Sequence, residues 1–288
     1  MNQNNSKRKN PLKVEMEQTT QERINQYKTQ ASKVVNYLNQ NPDAPQRQRE
    51  TDTRYVAVEI EKLERIFNEI IPYIVKIREH IKDVLDQNKL TASYLLFGKI
   101  FQSWQALFLL AKNGFHYEVM ELLRSIRESA DLIFFFMQGN DSSPDLEKWF
   151  AGEIVSNEKA RKAMHDFMNE EISKTGVTLP ISEIKSGVYG GLSKYAHVSY
   201  AALLDSFNVF SRDFDFERTA GFHYTRTSSL PFAYGDMYNT ITSLKYFYQS
   251  IDDKDSYEKL NLISKKNFPK YDTKENKQEI QETIKKYL

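Results

Sequence analysis

The chain has 288 residues, of which 40% are hydrophobic and 13% aromatic, so it holds ample material for a packed core, which excludes disorder throughout. Its Lys+Arg count of 40 against 39 Asp+Glu leaves a formal net charge of +1, so no global attraction draws it to nucleic acid or anionic lipid, and any polyanion site has to be a local patch. With Cys 0, disulfides, thiolate metal sites and thiol catalysis are all excluded.

The length exceeds the roughly 100 to 200 residues of an ordinary domain, which favours one large helical domain with extra arms over two equal halves. Met1 to Asn10 are polar and basic with no apolar stretch behind them, so no secretory signal is expected. The densest apolar runs, Ala106 to Ala111 and Leu132 to Met137, fall well short of the roughly 18 to 20 residues that cross a bilayer. A cytoplasmic protein without membrane contact is the expectation.

In chain order, residues 1–50 are rich in Gln, Asn, Lys and Arg and read as a flexible polar arm. It carries one marginal helix near Val14 to Asn39, ended by the Asn41-Pro42 and Ala44-Pro45 steps. Then Ile60, Leu63, Phe67, Ile70, Ile74, Ile77, Ile81 and Val84 alternate by three and four, a single stripe along a long heptad helix. The stripe either lies on the chain's own core or forms a homodimer through the Ile60 to Val84 helix. Pro72 inside it predicts a bend or an unpaired carbonyl.

A second helix is predicted from Thr91, as its cap, through Leu95, Leu96, Ile100, Phe101, Trp104, Leu107, Phe108 and Leu110. Asn113-Gly114 ends it, because both residues tolerate a left-handed backbone. A third helix, about His116 to Gln138, follows so closely that the two form a central antiparallel hairpin. After a breaker over Gly139 to Pro144, shorter helices are predicted near Asp145 to Glu153 and Ser156 to Lys174. Ile181 to Tyr189 and Leu192 to Phe207 flank a Gly190-Gly191 break. Ser211 to Ser229 reads as a long loop, Ala233 to Ile251 as an apolar helix and Thr273 to Leu288 as a lysine-rich one. No segment reads as a strand and no repeat of fixed period is visible. The reading is therefore an all-α helical bundle over 51–252, preceded by the arm and followed by a polar helical extension over 253–288.

Three constellations carry chemistry. At 100° per residue, Arg124, Arg127, Glu128 and Asp131 share one arc of the third helix, with Val119, Leu123, Ile126, Ala130 and Ile133 opposite. The segment Leu132 to Met137 is apolar all round, which marks the helix as central. Its charged arc then faces either a helix that satisfies it, as an ion-pair network fixing register, or a cleft. In the second constellation, Ser193 and His197 share a helix face with Tyr200 one turn further round, either as core hydrogen-bonders or as a site. The third, Ser211 to Ser229, interleaves Arg212, Arg218, Arg226 and His223 with Phe214, Phe216, Phe222 and Tyr224, a composition suited to stacking on bases while neutralising phosphates. Phosphate-cradling, dinucleotide, His-Glu-x-x-His and nucleophile-elbow motifs are absent, and His80, His116 and His165 lack metal-ligand spacing, so neither cofactor nor metal is expected.

The run from Asn113-Gly114 through Leu123-Arg124-Ser125 to Glu128, followed by Leu192-Ser193-Lys194-Tyr195-Ala196-His197, resembles a bacterial all-helical family of unknown function, distantly similar to HEPN-type bundles. The resemblance spans about residues 55–250. It implies an RNA-binding or metal-independent ribonuclease-like effector of stress or anti-phage defence, with Arg124, Glu128, Ser193 and His197 as the catalytic cluster. There His197 would act as base towards a ribose 2′-OH and Arg124 as the cation for the phosphorane. Arg127, Tyr200, Arg218 and His223 would bind ligand, Arg218 and His223 also meeting the loosest spacing of the HEPN arginine and histidine. At the positions before His197 where that arginine stands, this chain has Gly190, Gly191 and Leu192. The alternatives are a non-catalytic helical interaction or scaffold protein, and a sensor binding an anion beside Arg124 and Arg127.

Overall fold

The period-3.5 stripe of the sequence becomes the spine of the protein. A computed structural model describes residues 44–113, 115–173 and 226–269, together with single positions 22, 25, 29, 32, 36 and 40. Helix α1 runs Ala44–Lys76 and continues into a 3₁₀ turn over Ile77–His80. Ile60, Leu63, Phe67, Ile70, Ile74 and Ile77 are buried, packed with the other helices of the same chain, and Ile81 is buried as well. Val84 is not, at 45% exposed, because helical geometry ends with the 3₁₀ turn at His80 and Ile81 is already extended.

Two prolines of α1 act differently. Pro45 stands in the first turn, where a missing N–H costs nothing, so the Ala44-Pro45 step opens the long helix instead of closing the arm. Pro72 lies within the helix, which runs on past it to Lys76 while the carbonyl of Asn68 loses its helical donor. In the arm, Glu22, Asn25, Thr29, Ser32 and Asn36, polar positions of the expected marginal helix, and Gln40 just beyond its expected end are helical and exposed. The Thr29 hydroxyl bonds back to the Asn25 carbonyl at 2.9 Å.

Helix α2 spans Lys89–Lys112 and α3 His116–Gln138, the central hairpin. Asn88, not Thr91, caps α2: its side chain accepts the Thr91 N–H at 3.0 Å, which makes Thr91 the third helical residue, buried. Leu95 also departs from expectation, standing 45% exposed on the outer face of α2. At the other end Asn113 keeps φ −92°, so it does not supply a left-handed turn; its side-chain amide instead donates to the Leu109 carbonyl at 2.8 Å.

The bundle is completed by α4 (Pro144–Phe150), α5 (Asn157–Ser173), α6 (Arg226–Ser250) and α7 (Lys254–Asn267). Among the described residues there are seven helices and no strand, an all-α bundle. The central helix is α3, which packs against α2, α5 and α6, as its all-round apolar C-terminal half predicts. Helix α6 begins at Arg226, inside the segment expected to be a loop; Ser228, Ser229 and Pro231 mask its start. Helix α7 is polar overall, yet Ser256, Leu260 and Ser264 form a buried seam at a spacing of four that lays it on α6 and α1. The turn before it is closed by Asp252 in left-handed geometry, φ 58°, which an aspartate tolerates. No helix among the described residues is long and apolar enough to cross a membrane.

Candidate functional site

The polar arc of α3 divides into two pairs with different surroundings. Arg124 donates from Nε to Glu128 Oε1 at 2.8 Å, and both side chains keep some exposure, 22% and 26%. One helical step away, Arg127 reaches across to α6, donating from Nε to Asp236 Oδ1 at 2.7 Å and from Nη2 to the same oxygen. Arg127 is buried, Asp236 is sealed at 0% exposure, and Asp131, the fourth member of the arc, is buried as well. The opposite arc behaves as its composition requires: Val119, Leu123, Ile126, Ala130 and Ile133 are all in the core.

Asp236 is held from α6 by further bonds. Asn239 donates to Oδ1 at 3.3 Å, and the Thr240 hydroxyl bonds back to the Asp236 carbonyl at 2.8 Å. Thr240 in turn accepts the indole N–H of Trp104 from α2 at 3.1 Å, so α2, α3 and α6 meet at one polar junction inside an apolar bundle. Burial pushes the Asp236 carboxyl up; Arg127 and Asn239 pull it down, Asp131 pushes it up again, and the balance stands at about 6. A carboxyl displaced that far inside a core is a feature of functional sites and of structural ion-pair networks alike.

Arg127 and Asp236 are 109 residues apart, and the sequence reading named only the first. A signal for the second exists: Asp236 is the lone charged residue between Leu230 and Lys245, and a charge in so apolar a stretch needs a buried partner. Of the other residues expected at the site, Ser193, His197, Tyr200, Arg218 and His223 lie outside the described residues.

A second polar cluster ties α1 to α7. Lys76 donates to Asp253 Oδ2 and to Ser256 Oγ, each at 2.8 Å, while the Ser256 hydroxyl donates to Asp253 Oδ2 at 2.9 Å. His80, which lacks metal-ligand spacing in the sequence, brings Nε2 to 3.9 Å from the same carboxylate. Burial would raise the Asp253 carboxyl, but the bonds from Lys76 and from the Ser256 amide and hydroxyl outweigh it and hold it at about 2. Ser256 is buried with its hydroxyl engaged on both sides, so this lysine and serine form a joint and not a nucleophile with its base. Among the described residues no group of three or more His, Asp or Glu side chains could hold a metal ion.

Comparisons with protein-family models, with curated proteins and with solved structures find no match to this chain.

Proposed function

We propose that the chain is an RNA-binding effector, ribonuclease-like and metal-independent, of the kind deployed in stress or anti-phage responses, with the Arg124–Glu128 pair on its binding face. The observation that carries this reading is that Arg124, alone of the two arginines on the arc, is held by a neighbour on its own helix and reaches solvent. A guanidinium in such a half-buried pair can exchange its carboxylate for a phosphate of like charge, because i,i+4 pairs on helices are worth only about 0.3 to 0.5 kcal/mol. The similarity of the Arg-Ser-x-x-Glu and Ser-x-x-x-His segments to HEPN-type bundles supplies the rest: His197 as base and Ser193 as its neighbour, completing the chemistry without a metal.

Incubating the full chain with total RNA in EDTA tests it. Cleavage that survives the chelator and is lost in Arg124→Ala and His197→Ala supports the reading; intact RNA at every protein concentration, with no retardation on a gel, removes it.

A second reading is favoured by a different observation, the sealing of Arg127 and Asp236 between α3 and α6. On that reading the arc is a register-fixing network in a non-catalytic interaction protein, and Arg124→Ala leaves partner binding unchanged. A homodimer through the heptad stripe would have to displace α2, α6 and α7, which share the core with its isoleucines.

A further inference from the structure

The two oxygens of the Asp236 carboxylate are treated unequally. Oδ1 accepts both the Nε and Nη2 donors of Arg127 and the amide of Asn239. Oδ2 is buried and meets no hydrogen-bond partner, donor or acceptor, among the described residues. For an ionised carboxylate this is a poor arrangement, since a buried oxygen without a donor forfeits its hydration outright. A protonated carboxyl fits better, since neutralising the buried group costs less than holding its charge there: the proton occupies Oδ2, where it meets no acceptor among the described residues, and Oδ1 keeps all three of its bonds.

From this asymmetry we infer that Oδ2 of Asp236 is a proton-binding position, and that proton uptake there makes the α3–α6 junction tighten on mild acidification. The surroundings agree. From α3, Arg127 favours the charged form and Asp131 opposes it, and the wholly buried carboxyl is displaced upward in consequence. From α2 the approach is made by the uncharged indole of Trp104, through Thr240. From α1 and its 3₁₀ turn, Tyr55, Glu59 and Arg65 act on Tyr234, and Tyr73, Lys76, Glu79 and His80 on Tyr248; from α7 and its cap, Asp253 acts on Tyr248 and Tyr257 lies under Lys245.

The direction of the effect follows from linkage. Between the ordinary range of a carboxyl and the raised native one, the folded chain holds a proton that the unfolded chain has released, so this group's contribution to stability falls as pH rises through that window. The device therefore works opposite to the usual aspartate, which stabilises as it ionises.

Two measurements on the full chain test this. In protein labelled with carbon-13 at the aspartate carboxyls and assigned through the backbone, the Asp236 signal is expected to titrate well above the other aspartates, between about pH 5 and 7. A midpoint at or below about 4 overturns the inference. In urea, the wild-type midpoint is expected to fall relative to that of Asp236→Asn as pH is raised from 5 to 8, because the amide cannot ionise; parallel profiles also overturn it. The carbon-13 titration needs no variant, so it decides the matter even where Asp236→Asn does not fold.

Discussion

Lys76 in the last turn of α1 and Asp253 at the N-cap of α7 are joined at 2.8 Å across a sequence separation of 177 residues. The same carboxylate accepts the Ser256 amide at 3.1 Å, so one side chain both caps a helix and fastens it to the spine of the bundle. Asp253→Ala is expected to cost about 1 to 3 kcal/mol in urea unfolding, and Asp253→Asn less, because an amide oxygen still caps. The sign of the pH dependence is the ordinary one here. The native carboxyl is held at about 2, so its contribution is complete above the usual carboxylate range and is lost as pH falls towards 2, where wild type and Asp253→Asn should converge.

The arginines of α3 should separate cleanly. Arg127→Ala removes the partner of a sealed carboxylate and is expected to destabilise by about 3 to 5 kcal/mol, whereas Arg124→Ala should cost under about 1 kcal/mol. Thermal melts of both variants beside an RNA-binding assay check this: loss of binding in Arg124→Ala with an unchanged melt assigns Arg124 to the ligand and Arg127 to the fold.

The heptad stripe makes a second demand. Ile70 has no exposure and sits in the middle of α1, so Ile70→Ala should lose about 2 to 5 kcal/mol, and Ile70→Glu should fail to fold. Recovery of folded, monomeric Ile70→Glu by size-exclusion chromatography and circular dichroism would instead mark the stripe as a contact between subunits.

Tyr248 donates its hydroxyl to the Tyr73 carbonyl, in the last turn of α1. Tyr248→Phe keeps the edge-on ring contacts with Tyr73 and Phe247 and removes only that bond. A loss of about 0.5 to 1.5 kcal/mol is expected, measured as a shift in urea midpoint at constant slope.

How far the sequence could be read depended on the range of each interaction. The stripe from Ile60 to Ile81 and the apolar arc of α3 were legible because period alone selects the buried face. Helix ends were less so: Asn88 and Thr91 are both good caps three residues apart, and only the tertiary path decides between them. Helix α7 falls within the polar helical extension expected over 253–288, but its packing on the bundle was not legible, because its buried seam is made largely of serines, which carry little hydrophobic signal. The division of the α3 arc into a sealed and an open pair was not legible at all, since it depends on Asp236 arriving from the far half of the chain.

Trp104 is fully buried, stacked beside Phe108, with its N–H committed to Thr240, whereas the other of the two tryptophans, Trp149, is only half-buried. The chain thereby carries a built-in optical reporter. Emission from Trp104 should be blue-shifted and shielded from dissolved quenchers while α2 and α6 stay in contact, and should redden when they part, so opening of the junction can be followed without attaching a dye.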